Sequence, residues 1–356
     1  MSIIISVDIM GGDHGPKVTI PACVRFLNKN PNVNLILIGD IELIKKYLDN
    51  DLKKLKDRIE IVHSSQVITM DESPQNALRT KKDSSMRVAI NLVKEGRAQA
   101  VVSSGNTGAL MAISRFVLRM MEGIERPAIA KILPAINGEV CFLDLGANIE
   151  SSPEHLFQFA IMGAQLMKGI TGKEAPSVGI LNIGTEEIKG HEDIKKASEL
   201  LKNSNLNFYG NVEGNDINKG TVDVVVCDGF TGNVALKSIE GAAKMIAFFI
   251  RKEFTGSLLT KLLGILAYPV IRRIKSHLDP RKYNGAVLLG LNGLVIKSHG
   301  GADEIAFYYA LEQAYHEINA GVINLLIDYL ASHHQMFIEK DEIKKELNEF
   351  KDLNML

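Results

Sequence analysis

Five glycine-rich turns hold most of the residues in this chain whose types and spacing could do chemistry. The first is Asp8-Ile9-Met10-Gly11-Gly12-Asp13-His14-Gly15, running into Pro16 at an expected helix start. Gly11 and Gly12 let backbone approach a ligand closely, and the helix N-terminus behind them favours an anion. A bend that needs glycine only for its dihedral angles explains the same letters, but Asp8, Asp13 and His14 beside it weigh toward function. The second is Ser103-Ser104-Gly105-Asn106-Thr107-Gly108, between an expected strand and an expected helix. Its hydroxyls, amides and free N–H groups suit a phosphate or an oxyanion. An ordinary helix cap by Ser104 or Asn106 would use only part of them.

The other three are less decisive. Asp144-Leu145-Gly146-Ala147-Asn148 follows a strand, and a plain turn with a left-handed Asn accounts for it nearly as well. Asn182-Ile183-Gly184-Thr185-Glu186-Glu187-Ile188-Lys189-Gly190 puts Lys189 past a strand end, where a lysine is usually solvated. Cys227-Asp228-Gly229-Phe230-Thr231-Gly232-Asn233 brings Asn233 into the first turn of a helix, to cap it or to orient a carbonyl or phosphate oxygen. Outside these turns, Arg79, Lys81, Lys82, Ser84 and Ser85 form a candidate anion cup, against the commoner case of a solvated charge run. His299-Gly300-Gly301 ends a later strand. The motifs G-x-x-x-x-G-K-[ST], G-x-G-x-x-G, G-x-S-x-G and H-E-x-x-H do not occur, which weighs against nucleotide hydrolases, simple dinucleotide binders, serine hydrolases and metalloproteases.

Short apolar runs must position these turns. Strands are expected over 3–7, 34–38, 58–62, 100–103, 140–143, 178–182, 205–209 and 222–227, with helices over 16–27, 84–95, 109–118, 153–168, 192–201 and 234–250. The runs are mostly continuous rather than alternating, as in strands covered on both faces. The predicted class is α/β, a mainly parallel sheet with helices on both faces, with the turns at the carboxyl ends of its strands. A strand pair is expected at 286–289 and 294–297, and one long helix from 302 to about 330. The expected division is one large catalytic domain over 1–335, in one body or two interleaved lobes, that includes the segment 244–282, and a charged tail over 336–356.

The 356 residues carry a net charge of -1, and nothing in the composition points to nucleic acid. Cys23, Cys141 and Cys227 are far apart, which fits a reducing compartment and argues against disulfides or structural zinc. The N-terminus lacks the basic start and apolar length of a signal peptide. One segment departs from this balance. Residues 244–282 hold nine Lys or Arg against Glu253 and Asp279, a charge of +7, with leucines and isoleucines at helical spacing. Thr255-Gly256-Ser257 should break it into a protruding helical hairpin. Its ten-residue uncharged run is too short to span a bilayer, which needs about 20 residues. Lys261, Leu262, Leu263, Leu266, Arg272 and Arg273 are the candidates for contact with a membrane surface or an acidic carrier protein.

Together, the turns at 8–16, 103–111, 182–190 and 227–233, with Arg126-Pro127-Ala128 and Ser298-His299-Gly300, resemble the bacterial acyl-carrier-protein-dependent phosphate acyltransferases. The resemblance runs in order from about residue 4 to 330 with no departure in the core motifs. It implies conversion of long-chain acyl-carrier-protein thioesters and inorganic phosphate to acyl phosphates, feeding phosphatidic acid and phospholipid synthesis. It further implies a fold similar to isocitrate-type dehydrogenases and phosphotransacetylases, a homodimer and no cofactor. The enzyme would be cytoplasmic, peripheral to the inner face of the membrane, and partnered with a membrane-bound glycerol-3-phosphate acyltransferase.

That reaction needs a positioned phosphate and donors for a tetrahedral oxyanion, because a thiolate with a reference pKa near ~8.5 leaves without strong acid help. Lys189, Asn233 and Asn106 are the candidate catalytic groups. Asp8, Gly11, Gly12, His14, Ser104, Gly105, Thr107, Arg79, Lys82, Ser85, Asn148 and His299 are candidates for binding substrate or phosphate. Competing readings are a coenzyme-A-linked phosphotransacetylase, an isocitrate-type dehydrogenase with Asp223 and Asp228 as metal ligands, a route through an acyl-Cys227, and a non-enzymatic membrane scaffold.

Overall fold

Residues 2–333 are described in a computed structural model; the tail expected over 336–356 lies outside the described residues. The N-terminal half alternates β1 (Ile3–Asp8), α1 (Pro16–Lys29), β2 (Val33–Gly39), α2 (Ile41–Leu55), β3 (Ile59–His63), α3 (Pro74–Thr80), α4 (Ser85–Lys94), β4 (Ala100–Ser103) and α5 (Thr107–Leu118). Then come β5 (Ala128–Ala135), β6 (Gly138–Leu143), α6 (Pro153–Thr171), β7 (Ser177–Leu181), α7 (Glu192–Lys202), β8 (Asn207–Val212), α8 (Gly214–Lys219) and β9 (Val224–Val226). The chain continues through α9 (Gly229–Thr255), α10 (Leu258–Leu278), β10 (Ala286–Leu289), β11 (Leu294–Lys297), α11 (Glu304–Asn319) and α12 (Val322–Ser332).

Among the described residues, eleven strands join one sheet in the order β3-β2-β1-β4-β11-β10-β5-β6-β9-β7-β8. Seven of its ten pairings are parallel, so the sheet is mainly parallel as expected. The continuous apolar runs are explained by cores on both faces. Leu35 and Leu37 enter one core while Ile36 and Ile38 enter the other, the period of two that a strand imposes. The helix α6 is buried at every position from His155 to Met167, which matches a sequence apolar on all sides.

Three antiparallel pairings reverse the sheet in its middle. β10 runs against both β11 and β5, and β5 runs against β6. Consequently β1, β4 and β11 end on one side of the sheet, whereas β6, β7 and β9 end on the other. The expected long helix over 302–330 is two helices, because Gly321 takes a left-handed φ of 63° that stops α11 and starts α12. Strand β5, which carries Lys131 and Pro134 within an apolar run, does not appear among the sequence-based expectations. Helix α9 begins at Gly229 rather than 234, because Asp228 caps it by accepting from the Thr231 N–H at 2.8 Å.

Candidate active site

The turns at 8–15, 103–107 and 298–301 meet at the carboxyl ends of β1, β4 and β11. Asp8 and Ser103 are register partners, and Ser103 is in turn the partner of Lys297. The Asp8 carboxylate is buried and accepts the hydroxyl protons of Ser85 and Ser103, each at 2.6 Å. Burial pushes its pKa up; these hydroxyls and the N–H groups of Met10 and Gly11 pull it down. Ser104 donates to the Gly11 carbonyl at 2.9 Å, and the Ser103 hydroxyl accepts from the Gly105 N–H at 3.0 Å. A side chain at Gly11 would lie 2.6 Å from the Asp8 carboxylate, so glycine there is imposed by packing.

Asn106 is fully occupied. Its oxygen caps α5 through the Ala109 N–H, and its amide donates to the carbonyls of Met70 and Glu72 at 2.8 and 2.9 Å. It therefore ties down the segment in front of α3. Thr107, His14, Arg79 and Lys82 are exposed. His299 is also exposed, with Nδ1 accepting from the Gly301 N–H at 3.1 Å, which assigns the ring proton of the neutral form to Nε2. Behind it stands Lys297, which sequence reasoning missed. It ends a buried strand, and its ammonium donates to the Ser298 carbonyl. Burial lowers its pKa to about 8, opposed by the charges of Asp8 and Asp13. A lysine closing the apolar run Leu-Val-Ile-Lys was the available signal.

A second cluster forms where β6 and β9 end. The Asp144 carboxylate accepts from the N–H groups of Ile129, Ala147 and Asn148 and from the Asn148 amide, while burial pushes its pKa up. Asn148 is held by that carboxylate and by the Pro127 carbonyl at 2.8 Å. A side chain on Gly146, whose φ is +117°, would meet the Asn233 amide at 2.8 Å, so Asn233 lies directly against this turn. Lys189 is exposed on the adjoining loop after β7, which Asn182 folds back by donating to the Lys189 carbonyl at 3.1 Å.

These two groups are not one pocket within a single chain. Strands β4 and β9 are five inter-strand spacings apart, roughly 24 Å at about 4.8 Å each, and they end on opposite sides. Two of the competing readings also lose their geometry. Asp223 precedes β9 and pairs with Lys173 at 2.5 Å, while Asp228 follows the strand, about 16 Å further along an extended chain, so the two cannot share one metal ion. Cys227 is buried, and burial with the Asp228 and Asp144 charges pushes its thiol well up, which makes it a poor nucleophile.

The helices α9 and α10 form the hairpin, with Ser257 and Thr260 capping α10 reciprocally. Lys131 anchors α9 to β5 through Glu240 at 3.1 Å. Lys261, Leu262, Leu263, Leu266, Arg272 and Arg273 are all exposed, Leu266 at 72%. No helix among the described residues is long and apolar enough to cross a membrane. The hairpin's base reaches the first cluster. Arg281 bridges Asp279 and Asp303 at 2.7 and 3.2 Å, and Asn284 accepts from the His299 N–H at 3.0 Å.

Residues 3–325 match the family described as fatty acid synthesis protein. A phosphate acyltransferase of Chromobacterium violaceum is 58% identical over 93% of this chain and 96% of its own length. One of Methylococcus capsulatus is 54% identical over 89% and 94%. Among solved structures, a Streptococcus pyogenes phosphotransacetylase superposes with a TM-score of 0.60 at 17% identity, over 91% of this chain and 94% of that one. A branched-chain phosphotransacylase of Enterococcus faecalis gives 0.52 at 13%, over 89% and 99%. At these identities the structures establish the fold alone, whereas the sequence matches, extending through both clusters and the hairpin, show the family. The chain belongs to the phosphate acyltransferases of the fatty acid synthesis protein family, and it is an enzyme.

Proposed function

We propose that the enzyme takes a long-chain acyl group from acyl carrier protein to inorganic phosphate, yielding an acyl phosphate that a membrane-bound glycerol-3-phosphate acyltransferase consumes toward phosphatidic acid. The observation that carries the choice of donor is the +7 hairpin, whose base is hydrogen-bonded to the His299 turn. Acyl carrier protein is acidic, and a basic arm fixed beside the first cluster would steer it there. The hairpin's exposed leucines would rest on the inner face of the membrane, where the product is used. A phosphate oxygen attacks the thioester carbonyl, the C–S bond breaks, and the proton of the phosphate ends on the departing thiolate. The first cluster holds phosphate, while Lys189 and Asn233 serve the acyl carbonyl.

Two clusters on opposite sides of one sheet serve one reaction only if a second copy supplies the missing half, so the working form is a homodimer. The direct test incubates the full chain with long-chain acyl-carrier protein and phosphate, without added metal, and measures acyl phosphate. Product from the coenzyme-A thioester alone would reject the carrier-protein donor. Subunit sharing is read by mixing Gly12→Ala with Asn233→Ala chains. Each alone keeps about a hundredth of wild-type activity or less, and random pairing gives one intact site in half the dimers, roughly a quarter of wild-type activity. No recovery on mixing would show each chain to be self-sufficient.

A further inference from the structure

Lys297 completes a row of three side chains set in register across parallel strands: Asp8 of β1, Ser103 of β4 and Lys297 of β11. Asp8 is already served by Ser85, Ser103 and two backbone N–H groups. The ammonium has three N–H donors, and one goes to the Ser298 carbonyl. Among the described residues no hydrogen bond takes up the other two, although the residue is only 8% exposed. Asp8 and Asp13 face it as charges without bonding to it. A buried ammonium with spare donors is costly unless something accepts from them.

The turns above this row are pressed together: a side chain on Gly12 would collide with the Ser104 hydroxyl and the Gly300 carbonyl, and one on Gly105 with the Met86 side chain. Helix α1, fourteen residues long, starts here with no side chain capping its first turn. Asp13 lies over Gly300 and Gly301, with its N–H donating to the Gly300 carbonyl at 2.9 Å.

We infer that Lys297 is the cation of an oxyanion subsite between the 11–15 turn and the 298–301 turn, that inorganic phosphate binds its spare donors there, and that Asp13 balances the ammonium until phosphate arrives. The inference rests on the phosphate-transfer reading and names the group that would hold the nucleophile. Phosphate then competes with Asp13 rather than adding to it. Its affinity also falls as pH rises through about 8, where the ammonium, lowered by burial and held up by Asp8 and Asp13, loses its proton.

Calorimetric titration of the full chain with inorganic phosphate tests this without any acyl donor. Lys297→Met should weaken phosphate by roughly 30-fold or more, the scale of lost charge-assisted hydrogen bonds. Asp13→Asn should tighten it by about 3- to 10-fold, since it removes the competitor. A folded Lys297→Met chain that binds phosphate within about 3-fold of the wild type would overturn the inference, as would a wild type that binds none. Should Lys297→Met fail to fold, Asp13→Asn decides: tightening supports the subsite, and unchanged or weaker binding overturns it. Acyl phosphate formation by the wild type is assayed in parallel. Lysine-dependent phosphate binding without that product would sink the transfer reading and leave the subsite standing, whereas product with lysine-independent binding does the reverse.

Discussion

Gly12→Ala probes the first cluster most directly. Gly12 has φ +82°, a region that costs an L-residue about 1–2 kcal/mol. An added Cβ would lie 2.7 Å from the Ser104 hydroxyl and 2.8 Å from the Gly300 carbonyl oxygen. Neither can step aside cheaply. Ser104 donates to the Gly11 carbonyl at 2.9 Å, and the Gly300 carbonyl accepts from the Asp13 N–H at 2.9 Å. Overpacking of this kind adds about 1–3 kcal/mol, for a total of about 2–5 kcal/mol. The least expensive relief lifts the 11–15 turn off the 298–301 turn, which opens the corner assigned to phosphate. Melting should drop by roughly 3–7 °C for a chain of this length, and acyl phosphate turnover by about 100-fold, the cost of displacing binding groups by about 1 Å. Gly138→Ala is the control, since φ is +122° there but nothing lies within 4 Å of the added carbon. It should lose stability without a selective loss of turnover. Wild-type turnover in a Gly12→Ala chain that melts within about 1 °C of normal would refute the placement of the site.

Three further outcomes are expected. Glu317 is fully buried, with one oxygen accepting from Gln313 at 2.6 Å and the other without a partner, and burial raises its pKa from 4.5 to about 8. Folding then favours the protonated acid, so its contribution to stability is complete below pH 4.5 and is lost as pH rises to about 8, by at most about 5 kcal/mol at 1.36 kcal/mol per pH unit. Denaturant melts of wild type and Glu317→Gln between pH 5 and 8 should therefore diverge, and parallel pH profiles would contradict the burial argument. Lys189→Ala and Asn233→Ala should each lower turnover by orders of magnitude with melting unchanged; near-normal rates in both would remove the second cluster from the chemistry. Vesicle flotation should show salt-sensitive binding to anionic lipid that Leu262→Glu with Leu266→Glu abolishes, and indifference to lipid charge would reject the membrane role of the hairpin.

How the chain reads from sequence depends on the range of the interactions involved. Demands that are local were legible: the positive φ of Gly12 belongs to a tight turn before Pro16, whereas the contacts that exclude a side chain at Gly11 and Gly12 come largely from Ser104, Gly105 and Gly300, far along the chain. Asn106 and Asn148 were legible as polar turn residues but not in role. Their partners, the Met70, Glu72 and Pro127 carbonyls, lie 21 to 36 residues away, and no local pattern announces them. Lys297 was missed for a related reason, despite the apolar run it closes. A lysine at a strand end is ordinarily solvated, and only the assembly of β1, β4 and β11 buries it.

The largest gap between letters and fold has the clearest functional consequence. A strand carries no mark of its direction; periodicity is the same read either way. Continuous apolar runs separated by helices imply parallel neighbours, and that rule holds for β1 to β4 and for β6 to β9. It fails at the hairpins β5 with β6 and β10 with β11, and again where β10 lies against β5, and these three reversals, an odd number, turn half the sheet over. Glycine-rich turns that look equivalent along the sequence thereby face opposite ways. The proposed reaction draws on both sets, so the reading that it is completed across two chains rests on these reversals, among them the direction of β5, a strand with no catalytic residue of its own.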